Sequence, residues 1–235
     1  MFTSTRPAAR IAALALAGLA LSAPSALASG NVVDVYNDPS SGVRVIGSEK
    51  ADQVVVMNGG NATHAIHFAK SDIPVKVHGS NCTPLNPVTK LVRCARFQGA
   101  IDVTVVGAGG DDNLFASSSF APNVTFTGND GDDTLTGGAG YDSLAGNAGE
   151  DEIKGAGGGD RIWGGADRDA IVGGAGIDNI EGNEGNDVID LRDGAFDGVN
   201  CGSNPASIKD VVYADPEDGS ASYLKTRSCE VVAYI

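Results

Sequence analysis

Between residues 128 and 190 the chain divides without a gap into seven consecutive segments of nine residues, each with one aliphatic side chain at its eighth position. Small and polar residues dominate the other positions. The pattern therefore predicts seven very short strands, each with a central side chain that points to one side. The aliphatic residues at the eighth position are Leu135, Leu144, Ile153, Ile162, Ile171, Ile180 and Ile189.

The first six positions of each segment are rich in glycine and predict a turn, because glycine tolerates positive φ angles that other residues avoid. Position 1 is always Gly, position 6 is always Asp, and position 4 is Gly in six of the seven segments. Alternating turns and three-residue strands predict coils of eighteen residues, each with two strands and two turns. The aliphatic residues then stack inside and the turns alternate between two edges, so that Asp133 lies directly below Asp151 and Asp142 below Asp160.

The flanking residues also favour β structure, and no long helical pattern follows residue 28. Residues 31–106 contain short runs of apolar–polar alternation separated by turn residues, which is typical of strands. These runs predict either the first coils of the same solenoid or a small antiparallel sheet, and we favour the solenoid. The expected fold is all-β: a β-rich N-terminal region at residues 29–106, a parallel β-roll or β-helix solenoid at residues 107–197, and a disulfide-bearing C-terminal cap at residues 198–235.

The first 28 residues have the features of a signal peptide. Arg6 and Arg10 precede a short apolar run at residues 11–23, and a small-x-small motif ends at Ala28. The apolar run is shorter than the ~20 residues that a membrane-spanning helix needs. We therefore expect cleavage after Ala28, secretion of the remaining chain, and no membrane span in the secreted form.

The cysteines of an exported chain are expected to be oxidised. Cys82, Cys94, Cys201 and Cys229 allow three pairings. Proximity in the sequence favours the pairs Cys82–Cys94 and Cys201–Cys229, and the second pair would lie in the cap.

The charge of the chain is strongly acidic and unevenly distributed. The 30 acidic and 16 basic residues give a formal net charge of −14, which argues against nucleic acid as a partner because phosphate binding needs a basic face. Residues 107–197 contain 19 of the acids but only four of the bases, for a net charge of −15, together with 22 of the 33 glycines. This concentration of carboxylates indicates cations as partners.

Stacked aspartates repel one another, and a core one side chain thick offers little to offset the loss of chain entropy. A cation between stacked turns removes the repulsion and adds binding free energy to folding. The glycine-rich turns offer carbonyl oxygens and each Asp offers a carboxylate. Such an all-oxygen ligand set suits Ca²⁺ better than Zn²⁺ or Mg²⁺.

The segments resemble a known family. Their consensus GGxGxDxUx, in which U is aliphatic, is similar to the RTX, or haemolysin-type, calcium-binding nonapeptide, tightly over residues 128–190 and loosely over residues 107–127. The resemblance implies a parallel β-roll that holds Ca²⁺ between one turn and the turn two repeats later. It also implies the position 6 carboxylate as a ligand, with carbonyl groups of positions 1–4 completing each site. On this chain the implied ligands are Asp133, Asp142, Asp151, Asp160, Asp169, Asp178 and Asp187.

Two further turns extend this pattern. Residues 107–115 place Asp112 at position 6, and their first glycine precedes that of the first strict segment by 21 residues, one coil plus three. The Asp112 turn is therefore expected on the same edge as the Asp133 turn. Residues 191–199 are a stretched copy that places Asp197 at the ligand position.

Turns stacked one coil apart give five sites among the strict segments, and the Asp112 and Asp197 turns can add one each. We therefore expect five to seven Ca²⁺ ions. Asp167 replaces the position 4 glycine, so the turn of Asp169 is expected to be the weakest. With its leader, β-rich front and cysteine-bearing tail, the whole chain resembles secreted actinobacterial calcium-binding proteins.

No catalytic motif is apparent. His64, His67 and His78 form no HExxH motif, and no G-x-S-x-G motif occurs. We expect a secreted, non-enzymatic calcium-binding protein with a structural or interaction role and an extracellular or cell-surface partner. The alternative is a secreted hydrolase or lyase with its active site on residues 31–106 and the roll as an appended module.

Overall fold

The computed structural model describes a defined part of the chain. The described residues are 33–38, 42–48, 50, 52–58, 63–68, 75–78, 82–86, 91–95, 102–202, 210–218, 229 and 231–234. The expected signal peptide lies outside them, so its cleavage stays a prediction.

The described residues form twenty strands and one short helix. The N-terminal strands are β1 (Val33–Asp38), β2 (Gly42–Ile46), β3 (Gln53–Asn58), β4 (Thr63–Phe68), β5 (Val75–His78), β6 (Cys82–Asn86) and β7 (Leu91–Ala95). The following strands are β8 (Val103–Gly109), β9 (Asn113–Ala116), β10 (Val124–Asp130), β11 (Thr134–Thr136), β12 (Ser143–Ala148), β13 (Glu152–Gly157), β14 (Arg161–Ala166), β15 (Ala170–Ala175), β16 (Asn179–Asn183), β17 (Val188–Asp190), β18 (Gly198–Asn200), β19 (Val211–Ala214) and β20 (Val231–Tyr234). A 3-10 helix at Pro216–Asp218 precedes β20, and no helix of the described residues is long and apolar enough to cross a membrane.

The strands from β8 onward alternate between two parallel sheets. The even-numbered strands up to β18 stack in one sheet, and the odd-numbered strands up to β19 stack in the other, where β20 follows them. Residues eighteen positions apart are register partners in both sheets, as Leu135 is with Ile153 and Leu144 with Ile162. The all-β parallel solenoid and its eighteen-residue coil are therefore confirmed.

The core of the roll is a stack of single side chains between the two sheets. Every position 8 aliphatic residue is at most 1% exposed. Phe120 and Phe126 are fully buried beside this stack, where residues 116–127 depart from the repeat. Each such burial contributes about 1.5–3 kcal/mol, which leaves the backbone ladders and the turns to supply the remaining stability.

Several strands are longer than the three residues that the sequence pattern predicts. Strands β12, β13, β14 and β15 each have six residues, because they continue through positions 1–3 of the following segment. Identical turns stacked at one coil spacing keep their backbones parallel, so ladder hydrogen bonds extend into the glycine-rich part. The pairing of Ala156 with Gly174 shows this extension.

The N-terminal part combines both arrangements that the sequence left open. Strands β2 and β3 pair in parallel with β8 and β9, and thus form the first coil of the solenoid. Beyond them the pairs β1–β2, β3–β4, β4–β7 and β6–β7 are antiparallel. Cys82 and Cys94 are register partners on β6 and β7, while their side chains lie outside the description, so their disulfide stays a prediction.

The C-terminal part extends the roll and is closed by a disulfide. Strand β19 pairs in parallel with β17, and β20 pairs in parallel with β19. Cys201 and Cys229, which are 28 residues apart, form the disulfide that sequence proximity favoured. Both cysteines are buried in the hydrophobic core.

Candidate metal centre

The position 6 aspartates form two rows, one along each edge of the roll. Edge 1 carries the turns of Asp112, Asp133, Asp151, Asp169 and Asp187, and edge 2 carries the turns of Asp142, Asp160, Asp178 and Asp197. In each row the backbone N–H of one aspartate donates to Oδ1 of the aspartate one coil further on, with N–O distances of 2.7–3.0 Å. All nine aspartates that the sequence selected therefore lie in these rows.

Most of these carboxylates have one oxygen without a partner. Each aspartate of the two rows is at most 2% exposed. The Oδ2 atoms without a hydrogen bond are those of Asp112, Asp133, Asp151, Asp160, Asp169, Asp178, Asp187 and Asp197. A buried charged oxygen without a partner is costly, so these atoms need a proton or a cation.

Burial raises the pKa of every aspartate in the two rows, because loss of solvent disfavours the charged form. Carboxylates of the same row raise the pKa of most of them further, whereas the backbone N–H of the preceding coil lowers it. The pKa is raised to about 8 for Asp112 and Asp169, to about 7 for Asp151, Asp160 and Asp197, and to about 6 for Asp133 and Asp187. The pKa values of Asp142 and Asp178 are also raised.

Glycine at position 1 leaves a space beside the unpaired oxygen. A Cβ atom on Gly128 would lie 1.8 Å from Oδ2 of Asp133. A Cβ atom on Gly155 would lie 2.4 Å from Oδ2 of Asp160 and 2.3 Å from the carbonyl oxygen of Gly173, one coil further on. Any side chain at position 1 would displace the carboxylate, so glycine keeps carboxylate and carbonyl oxygens facing one shared space.

Positions 2 and 4 of the turns require an unusual backbone conformation. Position 2 takes positive φ in most segments, and Asn129 there has a φ of 87°. Position 4 takes positive φ in six of the seven segments, and a Cβ atom on Gly176 would lie 1.4 Å from the carbonyl oxygen of Gly158 in the preceding coil. Asp167 occupies position 4 with a φ of 76°, in a region that non-glycine residues rarely adopt. The weakness expected of the Asp169 site stays a prediction.

Both rows extend beyond the aspartates that the sequence analysis selected. Asp52 donates its N–H to Oδ1 of Asp112 at 2.6 Å. At the other end of edge 1, Asp187 donates to Oδ1 of Asp210 at 2.9 Å. On edge 2, Asp197 donates to Oδ1 of Asp218, also at 2.9 Å. The sequence analysis therefore missed three buried aspartates, Asp52, Asp210 and Asp218.

A sequence signal existed for the first of these residues. Residues 47–55 read GSEKADQVV and place Gly47, Asp52 and Val54 at positions 1, 6 and 8. This segment lies out of phase with the others because Asp52 and Asp112 are 60 residues apart in the sequence. Asp210 is followed by a buried Val212 at the matching spacing, but no glycine precedes it at position 1.

The ends of the rows differ from their interior. At three ends the Oδ2 atom accepts a backbone N–H: Asp52 from Ser48, Asp142 from Gly138, and Asp218 from Asp215, at N–O distances of 2.6–3.0 Å. Oδ1 of Asp142 also accepts the N–H of Val124. The carboxylates at these three ends are therefore satisfied within the chain, while the eight from Asp112 to Asp187 on edge 1 and from Asp160 to Asp197 on edge 2 have one unpaired oxygen each.

The donor set of the rows fits Ca²⁺. Consecutive turns of a row bring two carboxylates and a position 1 carbonyl group to the same space. Among the described residues, no group of three or more acidic, histidine or cysteine side chains is placed to hold a metal ion, so main-chain carbonyl oxygens would have to complete each site. Ca²⁺ accepts six to eight oxygen ligands of this kind, whereas structural zinc sites use cysteine and histidine.

The comparisons with known proteins agree with this geometry. A family model described as the RTX calcium-binding nonapeptide repeat, in four copies, matches residues 127–162 and again residues 163–195. Neither the curated proteins nor the solved structures contain a match to the chain.

Proposed function

We propose, on the premise that residues 127–195 are RTX calcium-binding repeats, that the protein is a secreted, non-enzymatic calcium-binding protein whose roll orders when it binds several Ca²⁺ ions. The observation that carries the proposal is the row of buried carboxylates along each edge, with eight Oδ2 atoms that lack a partner. Bound Ca²⁺ would supply the positive charge that these atoms lack.

Each proposed site lies between two turns of one edge. The carboxylates of both turns and the position 1 carbonyl of the later turn face it, and other turn carbonyls complete it. Among the nine aspartates that the sequence selected, edge 1 has four such pairs, from Asp112–Asp133 to Asp169–Asp187, and edge 2 has three, from Asp142–Asp160 to Asp178–Asp197. These seven pairs correspond to the upper end of the expected five to seven ions.

The charge of the roll couples its folding to calcium. Residues 107–197 have a net charge of −15, and five to seven divalent ions would add +10 to +14. Without that charge the carboxylates either repel one another or must take up protons. Because the ions bind the folded turns, their binding free energy becomes folding free energy.

The expected signal peptide supports secretion, and low cytoplasmic calcium would keep the roll unfolded until export. Outside the cell, millimolar calcium would order it. The sequence has no HExxH or G-x-S-x-G motif, which supports a structural or interaction role for the ordered roll, with an extracellular or cell-surface partner. The alternative enzymatic function would use residues 31–106, and no observation on the described residues there favours it.

The test combines calcium titration calorimetry with hydrogen exchange in calcium and in EGTA. We expect five to seven ions and strong protection of the amides of residues 107–197 only in calcium. Asp151→Asn should lower the number of bound ions and weaken the protection of the amides. The control is Glu150→Gln, at the exposed neighbouring residue, and it should change neither the ion count nor the protection. One or two ions, or equal protection in EGTA, would show that the roll is a passive scaffold.

A further inference from the structure

The two edges of the roll have different outer surfaces. Positions 3–5 form the tip of each turn, and on edge 1 these tips carry six acidic residues and one basic residue. They are Asp111, Asp130, Asp132, Glu150, Asp167 and Glu184, with Arg168 as the base. Three tips of edge 2, at residues 139–141, 157–159 and 175–177, carry no charged residue, and the longer turn before Asp197 carries the exposed Asp193, whose carboxylate accepts the N–H of Gly176. The repeat itself does not require this difference, because the buried positions 1, 6 and 8 are alike on both edges.

Position 5 of edge 2 presents large apolar side chains to solvent. Tyr141 is 72% exposed, Ile177 is 69% exposed and Phe196 is 53% exposed. Between the first two, position 5 is Gly159, where a Cβ atom would lie 3.0 Å from Cε1 of the Tyr141 ring. Glycine therefore leaves room for the ring to lie along the edge. We call these four residues the apolar ridge.

The apolar ridge is straight and protrudes. Register pairs place its four turns one above the other, since Ser143 pairs with Arg161, Arg161 with Asn179, and Asn179 with Gly198. At a strand spacing of ~4.8 Å the ridge is about 14 Å long. Its side chains stand on the tips of tight turns, so they form a convex line and not a groove.

We infer that the apolar ridge is a docking surface that inserts into the lipid–water interface of an uncharged membrane leaflet. A convex line of Tyr, Ile and Phe needs no matched cavity in a fluid interface, where aromatic and aliphatic side chains are favourable. The ridge also lies on the edge whose turn tips carry one acidic residue, Asp193, against six on edge 1, so a strongly acidic protein would approach lipid with this edge first.

A second copy of the chain fits the ridge less well. The exposed parts of its three large side chains amount to roughly 300–500 Å², at about 150–250 Å² per large side chain. Two copies in contact would then bury roughly 600–1,000 Å², less than the ~1,200 Å² at the lower end of stable interfaces. Self-association through the ridge is therefore an outcome for the test to exclude.

The apolar ridge depends on calcium for its formation. The ridge turns are those of Asp142, Asp160, Asp178 and Asp197, so the ridge forms only when the edge 2 row is ordered. Docking should therefore need calcium even though the ridge has no charge of its own. To this extent the inference rests on the proposed function.

The test is flotation of the chain from residue 29, which lacks the apolar leader, with phosphatidylcholine vesicles in calcium and in EGTA. The ridge variant combines Tyr141→Asn, Ile177→Asn and Phe196→Asn, because Asn186 shows that position 5 accepts this residue. The control combines Phe115→Asn and Val172→Asn, two exposed apolar residues on a sheet face. We expect vesicle binding in calcium only, a loss of at least tenfold for the ridge variant, and no change for the control.

A calcium titration followed by circular dichroism separates the possible failures. If the ridge variant folds with calcium as the wild type does and binds vesicles equally well, the ridge is not the docking surface. If the wild type folds with calcium yet binds no vesicles, or forms a ridge-dependent dimer by sedimentation, lipid is not the occupant. If calcium orders neither protein, the proposed function itself is wrong.

Discussion

Glycine at position 1 has a role that its conformational freedom does not explain. None of the position 1 glycines of the strict segments has a positive φ angle, so another residue could adopt the same backbone. What a side chain would remove is the space between the carboxylate of its own turn and the carbonyl of the next coil. The invariant glycine of the pattern therefore reflects the site and not only the turn.

The substitution Gly155→Ala tests this role at one turn. The added Cβ would overlap Oδ2 of Asp160 and the carbonyl oxygen of Gly173, so we expect loss of the ion held there and a calcium midpoint of folding at least fivefold higher. Gly157→Ala is the control, since its Cβ would have no neighbour closer than 3.9 Å. Equal midpoints for the two variants in a calcium titration by circular dichroism would contradict the role.

The substitution Asp167→Gly tests the strained position 4. A non-glycine residue with a φ of 76° costs on the order of 1 kcal/mol, so we expect the variant to be more stable by about that amount in calcium. Asp167→Asn keeps a side chain and removes the charge, and it separates backbone strain from carboxylate repulsion. Thermal melts in saturating calcium measure the stability of both variants. If Asp167→Asn is stabilised as much as Asp167→Gly, the effect comes from charge and not from backbone strain.

At the scale of the turn and its row, interior and end carboxylates have different roles. Interior aspartates have one oxygen bonded to the preceding coil and one oxygen unpaired. At the ends, Asp52, Asp142 and Asp218 bond both oxygens to groups of the chain itself. At three of the four ends of the two rows, the row therefore closes on a carboxylate that is satisfied without a cation.

A comparison of Asp160→Asn with Asp142→Asn tests this difference on edge 2. Asp160 belongs to two stacked pairs and has an unpaired oxygen, whereas Asp142 belongs to one pair and has none. We expect Asp160→Asn to remove about two ions and raise the calcium midpoint at least tenfold. Asp142→Asn should remove at most one ion and lower the thermal midpoint of unfolding in saturating calcium, because it loses hydrogen bonds within the chain. Titration calorimetry measures the number of ions that each variant binds. An equal loss of ions from both variants would refute the difference between the two carboxylates.

At the scale of the whole molecule, the roll is a stack of buried acids whose stability depends on what neutralises them. The pKa values of the row aspartates lie between about 6 and 8 where they are most raised. Unfolded aspartates titrate near 3.9, so the folded roll binds more protons than the unfolded chain over the range between these values. Protons and calcium ions therefore each stabilise the folded roll by neutralising the same aspartates.

In EGTA, the roll should become more ordered as the pH falls from 8 to 5. The sign follows from the raised pKa: the stabilising protonation is complete below the unfolded value and is lost as the pH rises through about 6–8. Calcium competes with these protons, so its apparent affinity should fall over the same range. Circular dichroism of the chelated protein against pH measures the first effect. A signal that stays constant or weakens on acidification would contradict it.

The sequence by itself determined the roll, its coil length and the nine aspartates of the two rows, because a strict nine-residue period leaves one way to stack turns and bury the aliphatic side chains. It did not determine the N-terminal part, where parallel and antiparallel strands have the same local pattern and only the pairing partner distinguishes them. Asp52, Asp210 and Asp218 also depended on the tertiary structure, because Asp52 is 60 residues from its partner Asp112 and no position 1 glycine precedes Asp210 or Asp218. The apolar ridge appeared only when turns eighteen residues apart were stacked, because alternate segments point to opposite edges and their exposed residues are never neighbours along the chain.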